Sequence, residues 1–162
     1  MKYLLFFLIT VSVLSCRNGM RGSGNIIKET RQLSEINSMS VSGAIKVDVK
    51  NGAVPSLTIE VDDNIMPYVI TNVSDKNLSI KIKGINNLRN ATIKVYLVVP
   101  TITKVTSSAS AEVRSDEIIK NTDKLSFKAS SGSVINVHVD APSVFADASS
   151  GADIIVSGRT KN

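Results

Sequence analysis

"ASSGSVINV" at residues 129–137 recurs as "ASSGADIIV" at residues 148–156, nineteen positions on, and this repeat decides how the fold is read. Weaker copies precede it. "TSSASAEV" from Thr106 carries Ala109 and Ser110 where the later copies carry Ser and Gly, and "SVSGAIKV" from Ser40 keeps the pair Ser42-Gly43. Self-similarity with a period near 20 residues is the mark of stacked coils, in which each turn covers the apolar surface of the one before. Successive turns would stack at strand spacing, about 4.8 Å, so that like positions form columns. Only small residues fit a tight corner in such a column. Gly132 and Gly151 can take positive φ there, and Ser130, Ser131, Ser149 and Ser150 can bond neighbouring backbone. Those four hydroxyls are also a candidate surface ladder for a ligand, beside the plainer reading that they only shape the corner.

Outward from the repeat, the chain from Ile36 on is a succession of period-two patterns. In "LSIKIKG", Leu78, Ile80 and Ile82 fall on one face and Ser79, Lys81 and Lys83 on the other, as a strand with one wet face requires. The stretch with the most helical look, "DDNIMPYVITNV" from Asp62, is interrupted by Pro67. Composition agrees: 43% of the 162 residues are apolar but only 4% are aromatic, and Trp is absent, so the core must be built from Val, Ile and Leu, which favour strands. The length suits one domain of about 130 to 140 residues after processing. The expected fold is therefore all-β, a single-domain β-solenoid resembling a right-handed β-helix, with short Ser/Gly-rich corners.

The N-terminus has a different character. Met1-Lys2 leads into "YLLFFLITVSVL", then Ser15-Cys16, then the polar "RNGMRGSGN". The apolar run falls short of the roughly 20 residues that cross a bilayer as a helix, and its charged, apolar, small layout is that of an export signal. Cys16 is the one cysteine of the chain, so it has no partner for an internal disulfide. Val13-Leu14-Ser15-Cys16 resembles a bacterial lipoprotein box, which makes Cys16 the lipidation site. The alternative is an ordinary secretory signal with Cys16 incidental. On the first reading residues 1–15 are a lipoprotein signal peptide, 16–33 a lipidated linker and 34–162 the folded domain. More than one acyl chain gives stable membrane attachment. By resemblance to envelope lipoproteins, Arg17-Asn18 after the cysteine points to the outer membrane, facing either the periplasm or the cell exterior.

The other candidate residues carry little chemistry. The net charge of +5 is modest and the lysines are interspersed with acids, so nucleic acid is not an expected partner. His138 alternates with Val137 and Val139 and reads as a solvent-face residue with no catalytic companions. Asp62-Asp63 could ligate calcium, but Asp-Asp-Asn is a common turn sequence and the glycine-rich ladder of calcium-binding solenoids is missing. Lys46, Lys81, Lys83 and Lys94 lie on alternating strand positions and could form one basic face for polysaccharide or lipid headgroups. No cofactor, metal or catalytic residue is expected.

Several segments together resemble a known family, the putative auto-transporter adhesin head GIN domain proteins of bacterial envelopes. They are "SGAIKVDV", "LTIEVDDNIMPYVITNVSDKNLSIKIKG", "ATIKVYLVVPTITKVTSSASAEV" and the two Ser-Ser-Gly segments, in that order. The resemblance implies a β-solenoid-like envelope protein without an established activity, and it transfers no site. It also implies further Ser-Gly coils, where this sequence has "SGRTKN". The expected function is a lipid-anchored, non-catalytic, adhesin-like interaction module with a glycan, cell-wall or protein partner. Alternatives are a polysaccharide or lipid-headgroup binder and a carbohydrate-active enzyme; the last needs aromatic sugar platforms, which are scarce here.

Overall fold

The computed structural model of the protein describes residues 19–85 and 87–160; Cys16 and the apolar run before it lie outside them. In chain order the strands are β1 (Gly19–Arg21), β2 (Ile26–Arg31), β3 (Ser38–Ser42), β4 (Ile45–Asn51), β5 (Ser56–Asp62), β6 (Val69–Ser74), β7 (Asn77–Ile82), β8 (Asn87–Arg89), β9 (Ile93–Val99), β10 (Lys104–Ser108), β11 (Glu112–Lys120), β12 (Leu125–Ala129), β13 (Val134–Ala141), β14 (Val144–Ala148) and β15 (Asp153–Thr160), with a 3-10 turn at Met66–Tyr68. The all-β expectation holds. Residues 16–33, read as a linker, include β1 and β2.

Two large sheets enclose one core. The first runs β14-β12-β10-β3-β7-β6, the second β15-β13-β11-β4-β9-β5-β2, and β1 pairs with β8 in a separate parallel ribbon. Alternation along each strand decides which side chains meet between the sheets. Met39, Val41, Leu78, Ile80, Val105 and Phe127 point inward from the first sheet; Val47, Leu57, Ile59, Val95, Val113 and Val137 point inward from the second, all essentially without solvent exposure. Each such aliphatic side chain contributes about 1.5–3 kcal/mol on burial. Among the described residues Phe127 is the one aromatic ring that is fully buried, and the core is made chiefly of Val, Ile and Leu.

The solenoid expectation is corrected. A right-handed β-helix would place successive coils in chain order with every pairing parallel. Both large sheets are instead mixed: β6 pairs antiparallel with β7, and β5 pairs antiparallel with both β2 and β9. Chain order is broken too, because β3 lies between β10 and β7, and β4 between β11 and β9. The arrangement is that of a β-sandwich. A local cause is the pair Asp75-Lys76, both in the left-handed region with φ of 52° and 59°, which folds β6 back on β7 as a tight hairpin and so forces the antiparallel pairing. What the repeat does encode is local register: β13 pairs parallel with β15 with Val134 opposite Asp153, and β12 with β14 with Leu125 opposite Val144, both at the nineteen-residue offset.

Candidate functional site

Along one edge of the sandwich, the connections from the first sheet to the second form a column of tight turns. In Ser130-Ser131-Gly132-Ser133 the two central residues have φ of 54° and 68°, and Ser133 N–H donates to the Ser130 carbonyl at 3.3 Å. Ser149-Ser150-Gly151-Ala152 repeats the geometry with φ of 52° and 71°, and Ser108-Ala109-Ser110-Ala111 with 52° and 63°. Paired positive φ values define the turn whose twist suits flanking strands, though here it joins strands of different sheets. The turns are stapled to one another: Ser110 N–H donates to Ser131 O at 3.1 Å and Gly132 N–H to Ser150 O at 3.2 Å.

The candidate ladder residues therefore share one edge, with Ser131, Ser149 and Ser150 exposed and Ser130 half-buried. The hydroxyls that hold the column together belong to other residues. Ser133, fully buried, donates to Ser107 O at 2.9 Å and accepts from Ser130 N–H at 3.1 Å; Ser107, also fully buried, donates to Ala111 O at 3.2 Å. Their position directly beside each turn, where the alternation turns inward, was the available sequence signal.

The outer face of the second sheet carries the richest polar chemistry. Register brings Lys28 opposite Glu60, Glu60 opposite Lys94, Lys94 opposite Lys46 and Lys46 opposite Glu112. Lys28 and Lys94 both bind Glu60, at 3.0 and 3.3 Å, and Lys46 binds Glu112 at 3.1 Å. Hydrogen bonding from Lys28 holds the Glu60 carboxyl below its usual pKa, and the Arg114 guanidinium does the same for Glu112. One row along, Tyr96, Asp48 and Arg114 lie side by side on β9, β4 and β11. With Lys46, Lys94 and Asp116 they line an open groove of about 290 Å³. Asp48 Oδ1 is buried in this setting without a hydrogen-bond partner.

The single basic face expected from Lys46, Lys81, Lys83 and Lys94 is not formed. Lys46 and Lys94 belong to this compensated face, whereas Lys81 lies near the end of β7 in the other sheet and Lys83 follows that strand. His138 lies exposed on the outer face of β13, with Nδ1 2.5 Å from Ser157 Oγ, and no carboxylate is among its hydrogen-bond partners.

Asp62-Asp63 closes a clamp on the N-terminal segment. Asp62, only 2% exposed, accepts from Gly24 N–H at 2.7 Å. Asp63 accepts from Ser23 Oγ at 2.6 Å and Asn25 Nδ2 at 2.8 Å, and Asn64 donates to Arg21 O at 2.9 Å. Both carboxylates are thus engaged by protein donors, and no cluster of three His, Cys, Asp or Glu side chains able to hold a metal occurs among the described residues.

The fold is shared with solved structures. A crystal structure described as a putative adhesin from Parabacteroides merdae superposes with a TM-score of 0.76 at 21% identity, covering 86% of this chain and 59% of that one. A second, from Parabacteroides distasonis, gives 0.77 at 20% identity over 85% and 59%. A third, from Bacteroides fragilis, gives 0.63 at 11% identity over 87% and 100%. The chain thus spans about 59% of the length of the first two. No curated protein matches it. The family model for the "putative auto-transporter adhesin, head GIN domain" matches residues 35–162, the whole sandwich from β3 onward, and the chain belongs to that family.

Proposed function

We propose that this protein is a lipid-anchored, non-catalytic, adhesin-like module of the outer membrane that binds glycan on the outer face of its seven-stranded sheet. Family membership supports an adhesin-like role at the cell envelope or surface. The observation that carries the glycan reading is the groove around Tyr96. An exposed ring lies between cations and carboxylates there. A sugar offers an apolar face to the ring and hydroxyls to the charged groups that line the groove, half-buried Asp48 among them. The groove is open and its cations are tied to carboxylates, so it is built to hold a neutral polar ligand rather than to activate one.

The lipid anchor rests on the Val13-Leu14-Ser15-Cys16 junction, with attachment through the Cys16 thiol. Glycan-array binding of the purified protein, repeated with Tyr96→Ala and Asp48→Ala, tests the groove. Both variants should lose several-fold to about tenfold or more in affinity for any glycan bound, since a stacked ring is worth about 0.5–1.5 kcal/mol beyond the area it buries and a hydrogen bond to a charged group about 1.5–3 kcal/mol. Glycan binding untouched by both substitutions would exclude this face. Turnover of a bound polysaccharide would remove the non-catalytic reading.

A further inference from the structure

We infer that the end of the sandwich where β1 leaves toward Cys16 is a docking surface for anionic phospholipid headgroups, built from Arg21, Arg89, Lys81 and Lys83; this deepens, and rests on, the lipid-anchor reading above. The covalent geometry comes first. Two residues, and so three residue-to-residue steps, separate Cys16 from Gly19, the first residue of β1, and fully extended these steps reach no more than about 11 Å. An acylated Cys16 sits at the bilayer surface, so Gly19 and whatever surrounds it must lie within the headgroup layer or against it.

What surrounds it is basic. Gly19 pairs with Asn87 and Arg21 with Arg89 in the β1–β8 ribbon, so two exposed arginines stand side by side, while Met20 and Leu88 turn inward. Asn87 and Leu88, with Lys81, Ile82 and Ile85, line an open groove of about 460 Å³ that abuts the turn at Gly43 and Ala109. Lys83 follows directly. Residues 81–91 hold three cations and no acid. The acids at this end, Asp62 and Asp63, are taken up by Gly24, Ser23 and Asn25 rather than by a cation.

Most cations on the two sheets are compensated. Lys28, Lys46, Lys50, Lys76, Lys94 and Lys128 each have a carboxylate partner, whereas Arg21, Arg89, Lys81 and Lys83, like the scattered Lys104, Lys120, Lys124 and Arg159, form no ion pair among the described residues; what sets the first four apart is their grouping beside β1. Two in-register arginines repel one another unless an anion lies between them, and a phosphodiester fits the guanidinium fork in the two-toothed geometry that lysine lacks. Half-buried Ile82 and Ile85, which line the groove, give the same surface an apolar floor. Each cation near an anionic leaflet favours the docked state about fivefold.

The chain has no tryptophan, so one introduced residue reports alone. The acylated full-length protein carrying Asn87→Trp, and separately Ile155→Trp on the exposed far-edge strand β15, is mixed with vesicles of pure phosphatidylcholine or of phosphatidylcholine with phosphatidylglycerol, each holding headgroup-quencher lipids. Flotation reports the anchor, and quenching reports the docking. The expected result is flotation with both vesicles, strong quenching of the Asn87→Trp indole only where phosphatidylglycerol is present, and none of the Ile155→Trp indole on either. Adding Arg21→Gln and Arg89→Gln should lower the docked-to-undocked ratio roughly 25-fold, two charges at about fivefold each. Lys81→Gln with Lys83→Gln gives a second, independent reduction. Equal quenching on the two vesicles, or quenching unchanged by all four substitutions, overturns the docking surface while leaving the anchor. Flotation only on phosphatidylglycerol overturns the anchor and keeps the surface; no flotation on either overturns both.

Discussion

Gly158 is the most constrained glycine described, although nothing in "IIVSGRT" sets it apart from the other Ser-Gly pairs. Its φ is 132°, and a Cβ built there would overlap the carbonyl of Val139 on the neighbouring strand. The corner glycines behave differently. A Cβ on Gly151 meets nothing within 4 Å, and one on Gly132 meets only Ser110 Oγ at 3.9 Å. Crowding of the column, which the repeat led us to expect, is absent, and only the left-handed backbone remains as a cost. Ser131, Ser150, Ala109 and Ser110 already bear that cost. Gly132→Ala and Gly151→Ala should therefore each cost about 1 kcal/mol, and cost alike. Gly158→Ala should cost about 2–4 kcal/mol, since β15 must move away from β13. Thermal melts of the three variants check this; a Gly158→Ala melt within error of wild type would mean that β15 does not hold its register on β13.

At the scale of elements, the turns were legible and the direction of pairing was not. Asp75-Lys76-Asn77 reads as a turn from its residue types, yet only the paired left-handed backbone shows that it closes a hairpin. Asp62-Asp63-Asn64 likewise reads as a turn, and it is one; what the sequence hid is that its side chains reach back about 40 positions to hold residues 21–25. The Tyr96 groove was illegible for the same reason, because its members come from β9, β4 and β11, which only sheet order brings together. The clamp at Asp62-Asp63 also has a pH signature. Hydrogen bonds from Ser23, then Asn25, hold the Asp63 carboxyl below its ordinary pKa. A depressed folded-state pKa stabilises the fold above the unfolded value, about 3.9, and that contribution fades as pH falls through the lower folded value. Asp63→Asn should accordingly melt below wild type at neutral pH, and the gap should close under acid. A gap that stays constant down to about pH 2 would mean the carboxylate charge plays no part in holding the N-terminal segment.

For the whole molecule, the consequence of mixed sheets is where the centre lies. In a stack of coils following chain order, the middle of the repeat region, around β10 to β13, would be the most enclosed. In the observed order β4 is the fourth of seven strands, flanked by β11 and β9, and β3 lies beside β10 at the middle of the other sheet. The nucleus of the sandwich is thus contributed by residues 38–51, early in the chain, and closed by strands that arrive later on both sides. Alternation could locate the strands and the repeat could locate parallel neighbours nineteen residues apart, but the partners of β4 are separated from it by up to about 70 positions and no local pattern names them. Amide exchange reads this arrangement directly. Amides whose release requires global opening belong to central strands, while edge strands open locally at lower free energy. Val47 and Val49 on β4, with Val95 and Leu97 on β9, should be the slowest to exchange. The amides of β14 and β15, which have a neighbour on one side only among the described strands, should exchange orders of magnitude faster. If the slowest amides fall instead in β12 and β13, with β4 no better protected than β15, the sheet order described above is wrong.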